Sequence, residues 1–530
     1  MRISLILRAV ATSWVAVIAN AAVGFLLTPY VLHRLGDEAF GVWVLITNLV
    51  GYYGLLDGGV RSAILRYVSR HKELKDQKSV NEVVATAFYY YLGACILVIL
   101  ATHFSVGAVS GFFSIRSPVL SEFKSLFLLA GLVQGLVLPL MVFASSLEAA
   151  GRFDQVYLTT VTCLALRVIA IIYVLRAGGG LFAVGATTIL SQLLAYSIQV
   201  PLAIRAQRGF TLHPKWIRKT VLWDMLRYGS VSVGVGIAEK MKVYIYPVVI
   251  AKFLTPVAVT FFALPMKILA FPSEGIGTMT EIINPLSSQL EARNDFAKLR
   301  ELIQMSVQSA FLILAPLAAF LFVFGRELLT LWVGRQYSSG YPLLVLLTLG
   351  IGTAATQCCI QSMLFGIDKH SKLVWYRLGE GLAITVFGSA ALRIAGLEGF
   401  ALVIAVTLLF SSLVLVPRHL CRILGLPLRS YLLQGCVKPC ILALPVAATL
   451  VALRFFFMVS TWPAVLATAF VGGLVYALTL LFVSFFDSYK LFRLLRPDVL
   501  HVLKQKISSQ PDSELRSVAN TLCSEAAQTE

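Results

Sequence analysis

Long apolar runs, separated by short charged or turn-forming segments, dominate this chain. A helix needs about 20 apolar residues to cross a bilayer core of about 30 Å. Read from one polar boundary to the next, the runs fall at 10–32, 39–57, 83–104, 125–147, 155–175, 180–204, 228–251, 256–284, 303–324, 341–365, 372–392, 398–417, 437–459 and 463–486. The pattern predicts an all-α, polytopic membrane protein with about fourteen transmembrane helices. An even number of crossings returns both termini to one side. The outside loops are all short, so no separate domain is expected there. Beyond about Ser488 the chain turns polar. Tyr489 to Arg496 mixes basic and apolar residues and predicts a segment lying on the membrane surface.

Composition agrees. Of 530 residues, 58% are hydrophobic and 13% charged, with a mean hydropathy of +0.83. Soluble proteins carry about 25% charged residues, so a soluble globular protein is excluded. The net charge of +18 first suggests nucleic acid. Its distribution argues otherwise, because Lys and Arg cluster in the short loops. With the N-terminus inside, about 31 lie inside and about 9 outside. That asymmetry predicts a multi-pass membrane protein with both termini cytoplasmic and no nucleic-acid partner. Arg2, Arg8 and Ala19-Asn20-Ala21 imitate a cleaved signal peptide. The apolar run continues through Leu32, however, and so predicts a first span. The 8 cysteines form no C-x-x-C pair or Cys/His cluster, so no metal is expected. No nucleotide-binding loop, nucleophile elbow or outside carboxylate pair is present, so neither an enzyme nor a cofactor is expected.

A repeat is visible. Pro29 to Leu35 closes the first span as Pro247 to Phe253 closes the seventh. Leu147 to Asp154 after span four matches Leu364 to His370 after span ten. The offset is near 215 residues and six spans, which makes the copies parallel. The expected domains are an N-lobe over 1–204, a basic cytoplasmic linker over 205–227 and a C-lobe over 228–420. Spans 13–14 (421–487) and a cytoplasmic tail (488–530) complete them. Two such six-helix lobes place a substrate path between them.

Ionisable residues inside spans are costly and mark candidate function. Span seven carries Glu239, Lys240 and Lys242. Glu239 and Lys242 are three apart and can pair, either as a structural ion pair or as part of a cationic cavity wall with Lys240. Span eight carries Lys267, Glu274 and Glu281 at steps of seven, on one stripe. Pro265 and Pro272 bend that helix. Glu274 and Glu281 are candidates to couple transport to an ion. Arg167 in span five either contacts an anionic headgroup or pairs with a carboxylate on a neighbouring helix. Asp57, Arg61 and Arg66 mark a cytoplasmic anchor or the mouth of the path. Gln357 and Gln361, four apart, are cavity candidates, while Arg377 and Glu380 are a structural pair.

Several short motifs resemble a known family. Leu35-Gly36-Asp37-Glu38-Ala39-Phe40-Gly41-Val42-Trp43, Leu56-Asp57-Gly58-Gly59 and Arg66-Tyr67 resemble the start of polysaccharide flippases of the O-antigen (Wzx) type. Pro285 to Leu290, Leu328 to Gly334, Tyr337 and Gly366 to Lys369 resemble the second half. That family belongs to the multidrug/oligosaccharidyl-lipid/polysaccharide exporter superfamily, whose fold has two six-helix lobes around a central cavity. The resemblance implies a flippase of undecaprenyl-diphosphate-linked glycan in the bacterial plasma membrane. Membrane lipids and other polysaccharide assembly proteins are the implied partners. The alternatives are an ion-coupled multidrug exporter or a lipid II flippase-like protein. A membrane-embedded glycan polymerase or ligase is a third, though it would want a long outside loop.

Overall fold

Fourteen crossings emerge once two helices are read with their physics. The computed structural model describes residues 3–485 except 114, 116, 208, 210, 229 and 458. The side chains of 3–11, 13, 14, 117, 118, 228, 230–233, 278–282, 484 and 485 are outside that description. Among the described residues, twelve helical stretches are long and apolar enough to cross a membrane. One of them, Ser371–Leu424, has 54 residues. Straight, it would measure about 80 Å against a core of about 30 Å. It breaks at Ala395 and Gly396, where Gly396 takes φ +60°. Its halves fold back on each other, since Ser411 bonds Glu380 and Gly388 lies against Phe400. A helix over Ser230–Phe253 also has crossing length at 24 residues, although Glu239, Lys240 and Lys242 make it more polar. Counting the hairpin twice and adding this helix gives the expected number.

In order, the N-terminal lobe comprises α1 (Ile3–Leu35), α2 (Asp37–Gly51), α3 (Val60–Glu73), α4 (Gln77–Phe112), α5 (Ser117–Ala149), α6 (Phe153–Arg176) and α7 (Leu181–Ala206). A short helix α8 (Lys219–Tyr228) leads to α9 (Ser230–Phe253), α10 (Pro256–Ala292) and α11 (Phe296–Val333). The next crossing is broken into α12 (Tyr341–Leu347), α13 (Thr353–Thr356) and α14 (Cys358–Gly366). The hairpin α15 (Ser371–Phe410) and its continuation α16 (Val416–Leu424) follow. The last crossings are Leu428–Phe456 and Trp462–Val483. The surface segment expected at Tyr489 to Arg496, and the rest of the tail, lie outside the described residues.

Both strongly basic segments, read as loops from their charge, contain helices. Val60, Ala63, Ile64 and Val68 bury one face of α3 while Arg66 and Arg70 stay outside. That is helical spacing, hidden in a linear reading by the intervening basic residues. In α8, Met225 is buried in the same way.

The repeat recurs in backbone geometry. Residues with positive φ stand at Lys75 and Asn294, at Gly151 and Asp368, and at Gly178 and Gly396. Their offsets run from 217 to 219 residues. After the first pair, Asp76 and Asp295 cap α4 and α11 through the same bond to the third helical amide. Each cap also holds its carboxyl below the usual range, chiefly through the bonds from Ser79 and Lys298.

Candidate functional site

Small residues on α1 leave a hollow between the N-terminal helices and α10. Ala16 and Asn20 line a cavity of about 560 Å³ together with residues of α3, α5, α6, α7 and α10. Two chambers of about 160 Å³ adjoin it. Asn20 and Glu274 line the large cavity and one chamber. Arg167 and Thr188 line the large cavity and the other. Gly24 and Lys267 line both small chambers. The three spaces therefore adjoin one another around α1 and line one polar path.

Charge changes along it. At the α5–α6 end, Arg61 Nη2 donates to Glu148 Oε1 at 2.7 Å. Asp57 accepts from the Arg61 amide at 3.1 Å and from the Tyr91 hydroxyl. Deeper in, Arg167 and Lys267 line the same chamber. Lys267 Nζ donates to Thr28 Oγ1 at 2.8 Å and lies 5.1 Å from the Phe40 ring centroid. No carboxylate among the described residues is within ion-pair distance of Arg167 or Lys267. Glu274 is a second carboxylate of the path in addition to Glu148, exposed within it and seven residues from Lys267. That is about 10 Å along the helix, too far for a contact. With Arg61 and Glu148 paired, the cations exceed the carboxylates in the path. The Glu281 side chain lies outside the described residues.

Several candidates sit elsewhere. Lys242 is 5% exposed and takes Glu380, not Glu239, as its partner, with Nζ 2.6 Å from Oε2. Arg377 donates to the same carboxylate at 2.9 Å, and Ser411 adds a further bond. Lys242 is thus locked in a buried cluster of the C-terminal lobe rather than facing the path around α1. Packing of α15 against α9 places Glu380 there, which helical spacing within α9 alone does not reveal. Lys240 is exposed on the other side of α9. Gln357 is 1% exposed and accepts from Tyr431 at 3.2 Å. Gln361 accepts from Arg377 at 3.2 Å. The helix breaks at Gln357, between α13 and α14, so the shared face expected of these two glutamines serves packing instead. Arg66 is exposed on α3. Glu148, Thr28 and Tyr196 enter the path although the sequence did not single them out. Glu148 was visible within the echo after span four, but its partner lies 87 residues away.

The lobes meet at the α1–α2 end. Trp332 Nε1 donates to Phe25 O at 2.8 Å, and the two rings stack at 4.7 Å. Thr260 donates to Asp37 O at 2.7 Å, and the Tyr337 hydroxyl bonds the Asp37 carboxylate. Gly41 is packed so tightly that a Cβ there would fall 1.8 Å from Pro256 O. A side chain at this position cannot be absorbed, because it meets backbone. Gly41→Val is therefore expected to hold the lobes apart at this end. His33 Nε2 lies 3.6 Å from where a Cβ on Gly334 would stand, so a short bismaleimide link can join His33→Cys and Arg335→Cys in a cysteine-free background. With Gly41→Val added, it should form in much lower yield. Unchanged yield would refute the tight contact.

Fold and site together define a polytopic α-helical membrane protein with a polar path lined by α1, α3, α5, α6 and α7 on one side and α10 on the other. Its fold is similar to the lipid II flippase MurJ in an inward closed conformation, with a TM-score of 0.69 at 12% identity over 89% of this chain and 97% of that one. It is also similar to an inward-facing multidrug resistance MATE family transporter, with a TM-score of 0.67 at 15% identity, covering 78% of this chain and 96% of the other. Residues 31–342 match the family of polysaccharide biosynthesis proteins, and the chain belongs to that family. Membrane protein EpsK of Bacillus subtilis (strain 168) is 23% identical over 478 residues, 85% of this chain and 90% of EpsK.

Proposed function

We propose that the protein is a flippase that moves an undecaprenyl-diphosphate-linked oligosaccharide from the inner to the outer leaflet of a bacterial plasma membrane, for surface polysaccharide. The observation that supports this reading is the pair Arg167 and Lys267. They share one chamber and have no carboxylate partner within it. Both are half-buried; a cation drawn out of water without an anion is costly, and a diphosphate would supply the missing charge. Arginine offers a planar fork for phosphate oxygens, and lysine a compact charge. The hydroxyls of Thr28 and Thr188 stand in the same chamber, suited to sugar or phosphate oxygens.

The positive-inside distribution supports a cytoplasmic α5–α6 end. The path then admits substrate from the cytoplasmic side at Arg61 and Glu148, while the lobe contacts at the α1–α2 end close the outer side. Alternating access follows if those contacts part as the cytoplasmic mouth closes. Glu274 supports a second reading, an ion-coupled exporter, because it lines two chambers and, among the described residues, has no cation at ion-pair distance.

The test is lipid-linked oligosaccharide in cells lacking this protein, compared with complemented cells. Accumulation on the inner leaflet with loss of surface glycan is the expected result. Normal surface glycan with altered sensitivity to cationic drugs would overturn it in favour of the exporter.

A further inference from the structure

A second basic site lies in the C-terminal lobe, away from the path. Lys372 and Tyr376 on the first turns of α15 face Arg418, His419 and Arg422 on α16 across a cavity of about 430 Å³. None of these residues lines the chambers around α1. The helix α16 is sharply two-faced. Val416, Leu420, Cys421 and Leu424 are buried, whereas Arg418 and Arg422 point outward one turn apart. Two like charges four residues apart repel. Yet neither arginine, nor Lys372, has a carboxylate within ion-pair distance among the described residues. His419 bonds Lys369 O at 3.3 Å, and its ring stands edge-on to Tyr376 at 6.0 Å. The site is therefore held in shape, but its three positive charges are left without a partner.

We propose that Lys372, Arg418 and Arg422 bind the phosphate headgroup of an anionic phospholipid. Position favours a membrane lipid over a soluble anion. The cavity lies where α15 begins and α16 ends, which is the water boundary of these crossings. Trp375, beside Tyr376, is 74% exposed, and exposed tryptophan is characteristic of the headgroup level. Above it Leu378 and Leu382 are exposed along the same helix, a surface for acyl chains. Basic pockets between transmembrane helices at this level are suited to anionic headgroups.

The test uses the full chain in nanodiscs and three probes: phosphatidylglycerol, phosphatidylcholine and undecaprenyl diphosphate. In the triple variant K372A/R418A/R422A, retention of phosphatidylglycerol should fall on the order of a hundredfold, from three lost charges. Retention of phosphatidylcholine and undecaprenyl diphosphate should not change. The charge-retaining variant K372R/R418K/R422K should behave as the parent. Unchanged phosphatidylglycerol retention in K372A/R418A/R422A overturns the proposal. So does loss of undecaprenyl diphosphate alone, which would make the groove part of the substrate's route. Displacement of phosphatidylglycerol from the parent by millimolar inorganic phosphate would assign it to a soluble anion. A second measurement needs no charge removal. Fluorescence of Trp375, taken as the difference from W375F, should be quenched more by brominated phosphatidylglycerol than by brominated phosphatidylcholine. Equal quenching counts against the site.

Discussion

Surface glycan should be lost when Arg167→Gln and Lys267→Gln are combined, while the protein should still insert and be recovered at the parental level. Both cations line one chamber without a carboxylate, so a bound diphosphate would meet them directly. Removing one partner of a buried, hydrogen-bonded charge pair costs about 2–5 kcal/mol. The pair together should therefore lower transport by more than about a thousandfold. Stability should move the other way. A half-buried cation without an anion does not stabilise the unliganded protein, so the double variant should melt no lower than the parent in detergent. The exposed Lys240, replaced by Gln, should export normally. Full surface glycan in the double variant would remove these cations from the transport path.

Glu380→Ala should have the opposite signature. The carboxylate holds Lys242 at 2.6 Å and Arg377 at 2.9 Å, with its side chain 2% exposed. Its removal leaves two buried cations without an anion. Breaking such a cluster costs about 3–5 kcal/mol, so the variant should be recovered poorly and melt far below the parent. Replacing Lys242, Arg377 and Glu380 together by apolar residues of similar volume should restore recovery, because no orphaned charge remains. A parental melting profile for Glu380→Ala, with transport lost, would mean that the cluster acts in transport rather than in holding α9 to α15.

These two results separate what a linear reading can find from what it cannot. The crossings were legible because hydrocarbon imposes one length scale on every helix, and each run is bounded by charge or by a turn. Even the hairpin at Ala395 and Gly396 was legible as two spans, since the apolar stretch is too long for one. The roles of the charged residues were less so. Helical spacing can offer Lys242 a partner only on its own helix, and that partner was Glu239. The stronger one, Glu380, lies 138 residues away. Arg167 and Lys267, on α6 and α10, likewise meet only through packing around α1. Nor could pattern alone separate Gln357, sealed against Tyr431, from a cavity residue. Span depth marks a residue as costly in lipid, but only the tertiary neighbours say whether that cost is met inside the protein or left for a ligand.

The recurring turns carry one more consequence. Carried through the chain, their offset aligns Lys242 with Gly24 and Glu380 with Thr162. Gly24 has nothing within 4 Å of where a Cβ would stand, and it lines both small chambers. At the matching place the other half is filled by an ammonium and its carboxylate. A chain with a duplicated plan has thus come to hold two unlike copies, one hollow and one plugged by its own internal salt. Exchange of the two positions would be informative in a way that a single substitution is not. Opening the plugged copy asks whether it can carry cargo, and plugging the open copy asks whether the molecule has any other route.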